Sequence, residues 1–214
     1  MPKLRNKSFT FRAISGIWIF VIITGIGIIS GAFSVFGAEN AEIVDYRTFF
    51  GFDPRTTVWI IAELHLMFGA FVLGVPMFAV TVEYVGVLTK EERYDRLAKD
   101  FTRLLSASFA LTAALGGLLT FALFTLYPKV MNFMTGIFSE SFYIYAFFFF
   151  GETFVLYFYY YSWDSLKNRK GIHISAGVLL NIIGLIIMGI SNSWATYMMS
   201  PSGIDPETMK FTGT

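Results

Sequence analysis

The sequence contains no cysteine, so disulfides, thiolate chemistry, iron–sulfur ligation and covalent c-type haem attachment by this chain are all excluded. Histidine is nearly as scarce, with two in 214 residues, and any redox centre must draw on these, on methionine or on carboxylates. Charge is scarce too. Only 14% of residues are Asp, Glu, Lys or Arg, and the net charge of +1 points neither to nucleic acid nor to acidic substrates. What the chain has in excess is apolar and aromatic surface, 55% and 19% of residues, gathered in long runs separated by short polar stretches. A soluble enzyme has the opposite balance; this is the composition of a membrane protein.

Five runs reach spanning length. The first, residues 13–36, follows Lys3, Arg5, Lys7 and Arg12 and resembles a signal peptide at its start. At roughly 24 residues it is longer than the usual h-region of about 7–15, which predicts an uncleaved span with Gly27 and Gly31 as a small-residue contact face. A mixed polar loop over 37–57 leads to a second run, 58–88, which contains Pro76 and reaches roughly 46 Å. The most charged stretch, 90–103, reads as a loop before the third run, 104–127, which Pro128 closes. A strongly aromatic run over 141–163, a basic turn over 164–170 and a last run over 172–190 complete the set, with a polar tail from Asn192. The predicted fold is therefore all-α, an integral membrane bundle of about five transmembrane helices. It divides into an N-terminal helix with its outer loop (1–57), a four-helix bundle (58–201) and a polar tail (202–214).

Lysine and arginine concentrate on the cytoplasmic side of membrane proteins. Here twelve fall in the N-terminal segment, the 90–103 stretch and the 167–170 turn, against four elsewhere. This predicts a cytoplasmic N terminus and an outer, periplasmic C terminus in a prokaryotic cytoplasmic membrane.

Ionisable residues inside a span are costly and are functional candidates by default. They are Glu63, His65 and Glu83 in the second run, Glu152 in the fourth and His173 at the start of the fifth. Counted from the outer ends of their runs, His65 lies roughly 12 Å deep and Glu152 roughly 16 Å. Neutral imidazole is the standard ligand of haem iron and a nearby carboxylate can carry protons, so the pair frames a redox site; the alternative is a hydrogen-bonded pair joining two helices. His173 starts at the opposite face, more than about 15 Å from His65, so the two cannot share an iron. Its choices are a cofactor contact or an interfacial residue snorkelling beside Lys170. Glu63 and Glu83, near helix ends, read as charged residues kept in contact with solvent or headgroups, with structural or pairing roles.

At these residues the sequence resembles the N-terminal part of cytochrome bd oxidase subunit I. His65-Leu-Met-Phe, Gly74 and Glu83 resemble the family's first helix, Ser108-Phe-Ala-Leu and Gly117 its second, Glu152-Thr-Phe through Trp163-Asp164 its third, and Asn192-Ser-Trp194 with Pro201 the end of its fourth. The resemblance covers about 63–201. It implies that His65 is the axial ligand of a non-covalently bound haem b or haem d, that Glu152 lies on a proton path, and that His173 matches a helix-start histidine displaced by about a turn. It also implies a quinol-linked respiratory complex. Its other membrane subunits would include a chain supplying the missing C-terminal half, with the low-spin haem ligands and the quinol-binding loop. The chain departs from the pattern at Ile144, where the family has a second glutamate, at 120–124, where another is missing, and in its extra N-terminal helix. A haemless anchoring subunit is the competing expectation.

Overall fold

The structure is a computed structural model that describes residues 48–49, 51–200, 202–203 and 205. The predicted N-terminal helix over 13–36, with Gly27 and Gly31, lies outside the described residues, as does nearly all of the 202–214 tail. Among the described residues every regular element is a helix, and four are long and apolar enough to cross a membrane. They are α1 (Pro54–Thr89), α2 (Glu92–Leu126), α3 (Pro128–Tyr161) and α4 (Lys170–Met199). The chain is a multi-pass membrane protein. The helices run alternately up and down, so the starts of α1 and α3 and the ends of α2 and α4 share one face of the bundle, the Tyr127 face. The opposite ends share the Glu83 face.

Each helix outruns its apolar segment, for a local reason. Asp53 caps α1, accepting from the Thr56 amide at 3.0 Å and the Thr56 hydroxyl at 2.6 Å, which hold its carboxyl below the ordinary value; Pro54 then occupies the first turn. The charged stretch read as a loop is helical from Glu92. Glu, Arg, Leu, Ala and Lys are good helix formers, and Glu92 and Asp95 in the first turn suit the helix dipole, so the α1–α2 connection shrinks to a tight turn around Lys90, at φ 60°. Pro128 opens α3 rather than merely closing α2, and the polar connection after it is a helical segment that kinks at Phe138. α4 continues past Asn192 because Trp194 is anchored, its Nε1 donating to the Ser141 hydroxyl at 2.8 Å and its ring packing on Phe142 and Tyr145. At 1.5 Å per residue, helices of 30–36 residues exceed the roughly 30 Å hydrocarbon layer and must project from it.

Two devices hold the four helices together. A layer of Val72, Val75, Leu105, Phe109, Leu156 and Leu180 fills the middle. At the Glu83 face all four helices meet in a polar clasp. Glu83 of α1 is fully buried; its Oε1 accepts from Lys170 at 2.9 Å and pairs with His173 Nδ1 at 2.7 Å, while its Oε2 accepts from the Tyr159 hydroxyl at 2.7 Å. Lys170 also pairs with Asp95 of α2, which accepts from Trp163 Nε1 at 3.2 Å, and stands 4.9 Å from the Trp163 ring centroid. The other nitrogen of His173, Nε2, lies 2.8 Å from the Tyr159 carbonyl. A carbonyl can only accept, so Nε2 donates to it, and a second hydrogen bond joins Nδ1 to Oε1. Both carboxylates of the clasp, Glu83 and Asp95, are bridged by Lys170.

The clasp corrects two expectations from the sequence. Glu83 is not kept charged by solvent or headgroups but by buried partners. His173 is not a snorkelling interfacial residue: it is fully buried, 0% exposed, and Lys170 is its neighbour through Glu83. Outside the clasp, Lys99 donates to Asp164 at 2.7 Å and holds that carboxyl below its ordinary value. Both side chains are exposed, so the pair adds little to stability.

Removing the hub leaves Lys170, His173 and Tyr159 without their shared carboxylate. Glu83→Ala is expected to cost about 3–5 kcal/mol in detergent unfolding, whereas Tyr84→Ala, on the lipid-facing side of the same helix, is expected to cost under about 1 kcal/mol. Equal losses for the two variants would deny the clasp its role.

Candidate functional site

Of the three carboxylates and two histidines singled out by the sequence, Glu63 is exposed, and the other four resolve into three places. His173 and Glu83 lie together in the clasp. Both nitrogens of His173 are spent on Glu83 and Tyr159, so in this arrangement neither is open to a metal or cofactor. His65 and Glu152 stand apart from the clasp and from each other.

His65 sits on the α2 side of α1. Its Nδ1 lies 3.1 Å from the Thr112 carbonyl. Since that oxygen accepts only, Nδ1 carries the proton and Nε2 is left with its lone pair. Nε2 has no hydrogen-bond partner among the described residues. Oriented in this way by a backbone carbonyl, a neutral imidazole is fixed in the tautomer that binds iron through Nε2. Gly116 makes the arrangement possible: a Cβ there would fall 2.9 Å from the imidazole Cε1. The ring is half-buried, which leaves room for a flat group to approach it. The residues therefore fit a single axial ligand to a haem, with Thr112 and Gly116 as its supports. Sequence reading found His65 but not these two, which only the α1–α2 packing brings against it.

Glu152 faces the other side of α1. It is 5% exposed, and its Oε1 lies 3.2 Å from where a Gly184 Cβ would stand, the same point that is 3.4 Å from Leu73 Cδ2. Leu73 is eight residues beyond His65 along α1, roughly 12 Å. The structure thus does not bring His65 and Glu152 together at a common depth. Depth counted from Ser141 placed Glu152 too near the outer end, because α3 begins at Pro128.

Around Glu152 lies a cavity of about 350 Å³ between α1, α3 and α4, lined by Leu73, Gly74 and Met77 on one wall and Asn181, Gly184 and Met188 on the other. Met77 and Met188 at its rim are 57% and 45% exposed, so it opens sideways toward the lipid. Asn181 spends its Nδ2 on the Gly177 carbonyl at 2.8 Å, leaving Oδ1 as an acceptor. The Glu152 carboxyl has no hydrogen-bond partner among the described residues. A buried carboxyl without a cation or donor, beside a cavity, is not there to hold helices together and stays a functional candidate. The expected helix-joining hydrogen bond between His65 and Glu152 is absent.

Ile144, where the resembling family has a glutamate, is 51% exposed and turned outward. Its neighbour Tyr145 is half-buried, its ring packing on Phe149 and Trp194, while the Ser191 hydroxyl donates to the Ile187 carbonyl at 2.9 Å. Among the described residues no group of three or more His, Asp or Glu side chains converges as a metal site.

Gly116→Val is expected to drive the imidazole of His65 off the Thr112 carbonyl. ¹⁵N NMR of histidine-labelled protein checks this: the wild type should show a neutral ring protonated at Nδ1, and the variant a mixture of tautomers. A wild-type ring protonated at Nε2 would remove the proposed orientation.

Compared with protein families, residues 54–212, about three quarters of the chain, match the model of cytochrome bd terminal oxidase subunit I. No individual curated protein matches the chain.

Proposed function

Starting from the fact that this chain belongs to the cytochrome bd terminal oxidase subunit I family and is a membrane subunit related to the bd-type oxidases, we propose that it carries one non-covalent haem on His65. It would do so within a multisubunit respiratory complex. The observation that carries this reading is the His65 tautomer: Nδ1 committed to the Thr112 carbonyl, Nε2 unbonded, and Gly116 leaving space for the ring.

Haem b or haem d, when bound, supplies one-electron chemistry. The chain's own residues do the rest. His65 holds the iron, and the Thr112 carbonyl fixes the ring that does so. Glu152 holds or moves a proton some 12 Å further along α1, in a cavity with room for several waters. The clasp keeps the four helices in register so that these positions are maintained. His173 has no ligand role in this account.

A partner subunit would supply histidine ligands for a second haem, since His173 is committed to the clasp. That partner would also complete the quinol-linked half of the reaction, in a prokaryotic inner membrane with the Glu83 face cytoplasmic, as the lysine and arginine distribution favours. One observation favours the competing reading, a haemless anchor. Ile144 presents a hydrocarbon side chain to the outside where the family has a glutamate.

The two readings separate in a reduced-minus-oxidised spectrum and pyridine haemochrome assay of the purified native complex. In His65→Ala the loss of one b- or d-type signal is expected while the complex stays assembled. An unchanged haem content would leave the anchor.

A further inference from the structure

α1 carries an outward stripe that the other three helices leave uncovered. Glu63, Ala70, Gly74, Met77 and Thr81 recur at helical spacing, so they share one face, and all five are exposed. From Glu63 to Thr81 the stripe runs roughly 27 Å, close to the thickness of the hydrocarbon layer. Its middle is built of small residues. Ala70 and Gly74 have the small-xxx-small spacing, and a Cβ on Gly74 would meet nothing within 4 Å, so another backbone can approach closely. Along this part of the stripe the cleft between α1 and α4 opens, with Met77 and Met188 on its rim.

Two carboxyls border the stripe without a donor among the described residues. Glu152 lines the cleft and is buried, and Asn181 adds an acceptor beside it, its Nδ2 being spent on the Gly177 carbonyl. Glu63 lies on the stripe itself, five residues inside the apolar run that begins at Val58. Thr81 needs nothing, since its hydroxyl donates to the Met77 carbonyl at 2.7 Å. Leu73 marks the level of Glu152 on α1, so the two carboxyls stand ten residues apart along that helix, roughly 15 Å.

Lipid does not answer these needs. An acyl chain fills apolar space but brings no donor, and an unpaired carboxyl within a span is costly. A small lipid-soluble molecule would occupy the cleft and leave the rest of the stripe, with Glu63, uncovered. A second copy of this chain brings no basic residue to that depth, because none of the five apolar runs contains lysine or arginine. A transmembrane helix of another polypeptide meets every requirement at once: it is as long as the stripe, packs closely on small residues and carries donors at a fixed spacing.

We propose that the α1 stripe and its cleft dock one transmembrane helix of a partner subunit, which sets a lysine or arginine against Glu63 and, ten or eleven residues along, a neutral donor such as serine, threonine, asparagine or glutamine against Glu152 and Asn181. Eleven residues make about three turns, so both side chains leave the partner helix on one face. A neutral donor satisfies the buried carboxyl without fixing its charge. The inference rests on the reading of this chain as one subunit of a multisubunit complex, and it adds the face and the chemistry of the contact.

Photocrosslinking in the native membrane tests it. p-Benzoylphenylalanine is placed at Met77 or Met188 on the rim, and at Phe154, which is 65% exposed on the opposite side of α3 from Glu152. Both rim positions are expected to capture the same apolar segment of another polypeptide, bearing a basic residue ten or eleven residues from a neutral donor, while Phe154 captures lipid. Glu63→Leu is expected to lower that yield several-fold and Glu63→Asp to keep it. Adducts at the rim with lipid or a small molecule alone, with a second copy of this chain, or with a segment lacking those residues overturn the proposal, as does equal capture at all three positions. When other chains co-purify but the rim captures only lipid, the subunit reading stands and the face is wrong; a chain that also purifies alone fails both. Should a probe variant not assemble, the unmodified protein decides. Dicyclohexylcarbodiimide, which reaches carboxyls from the lipid, is expected to label Glu63 and Glu152 several-fold less in the complex than in the chain freed of its partners, and equal labelling overturns the docking.

Discussion

A fully buried carboxylate that must be paired is the constraint around which the rest of the bundle is arranged. Glu83 lies in a helix that apolar burial alone would allow to slide or rotate against its neighbours, since lipid is as good a solvent for leucine as another helix is. Its two oxygens need donors, and those donors come from two other helices: Lys170 and His173 from α4, Tyr159 from α3. Lys170 then recruits Asp95 of α2, and Trp163 closes the ring. A one-residue rotation of any helix would strand a charge in hydrocarbon, at a cost of several kcal/mol. Register is thereby set at one face and transmitted along rigid helices to residues 20 Å and more away.

Two glycines on α4 convert that register into separate chambers. Gly177 lets α4 close on Val80 and Tyr159, making the tightest contact directly above the clasp. Gly184, two turns further, has Glu152 and Leu73 before it but a cavity beside it. The first absence of a side chain seals the bundle and the second uncovers a carboxyl. On the opposite flank, Gly116 of α2 does for His65 what Gly184 does for Glu152. α1 therefore carries one chemically distinct residue on its α2 side and walls the chamber of another on its α4 side.

Much of this was legible in sequence. The four apolar runs of the bundle, their order and the short list of ionisable candidates follow from composition, because a membrane tolerates so few polar residues that each one is conspicuous. Helix ends were less legible. Residues 90–103 read as a loop because hydropathy registers only the part of a helix that lipid covers, and Pro128 read as a stop because a proline at the first helical turn looks the same from either side. The relation between His65 and Glu152 was misjudged for the same reason: depth was counted from the end of an apolar run and not from the end of a helix. Partners were not legible at all. Thr112 and Gly116 are ordinary membrane-helix residues until packing sets them beside an imidazole.

Glu83 and Glu152 show why position within the layers matters more than residue type. Both are buried carboxyls of one bundle, some 10 Å apart across the Leu156–Leu180 layer, taking Tyr159 as the marker of the clasp. One has a lysine, a histidine and a phenol within hydrogen-bond distance, so a proton on it would leave Lys170 short of a counter-charge. The other has no hydrogen-bond donor and no cation, so neither of its protonation states is locked in by a partner. The apolar layer between them keeps these two environments from merging. A dry core here does more than fill space: it lets one helix bundle keep a carboxyl held by three partners and a carboxyl with none in the same membrane.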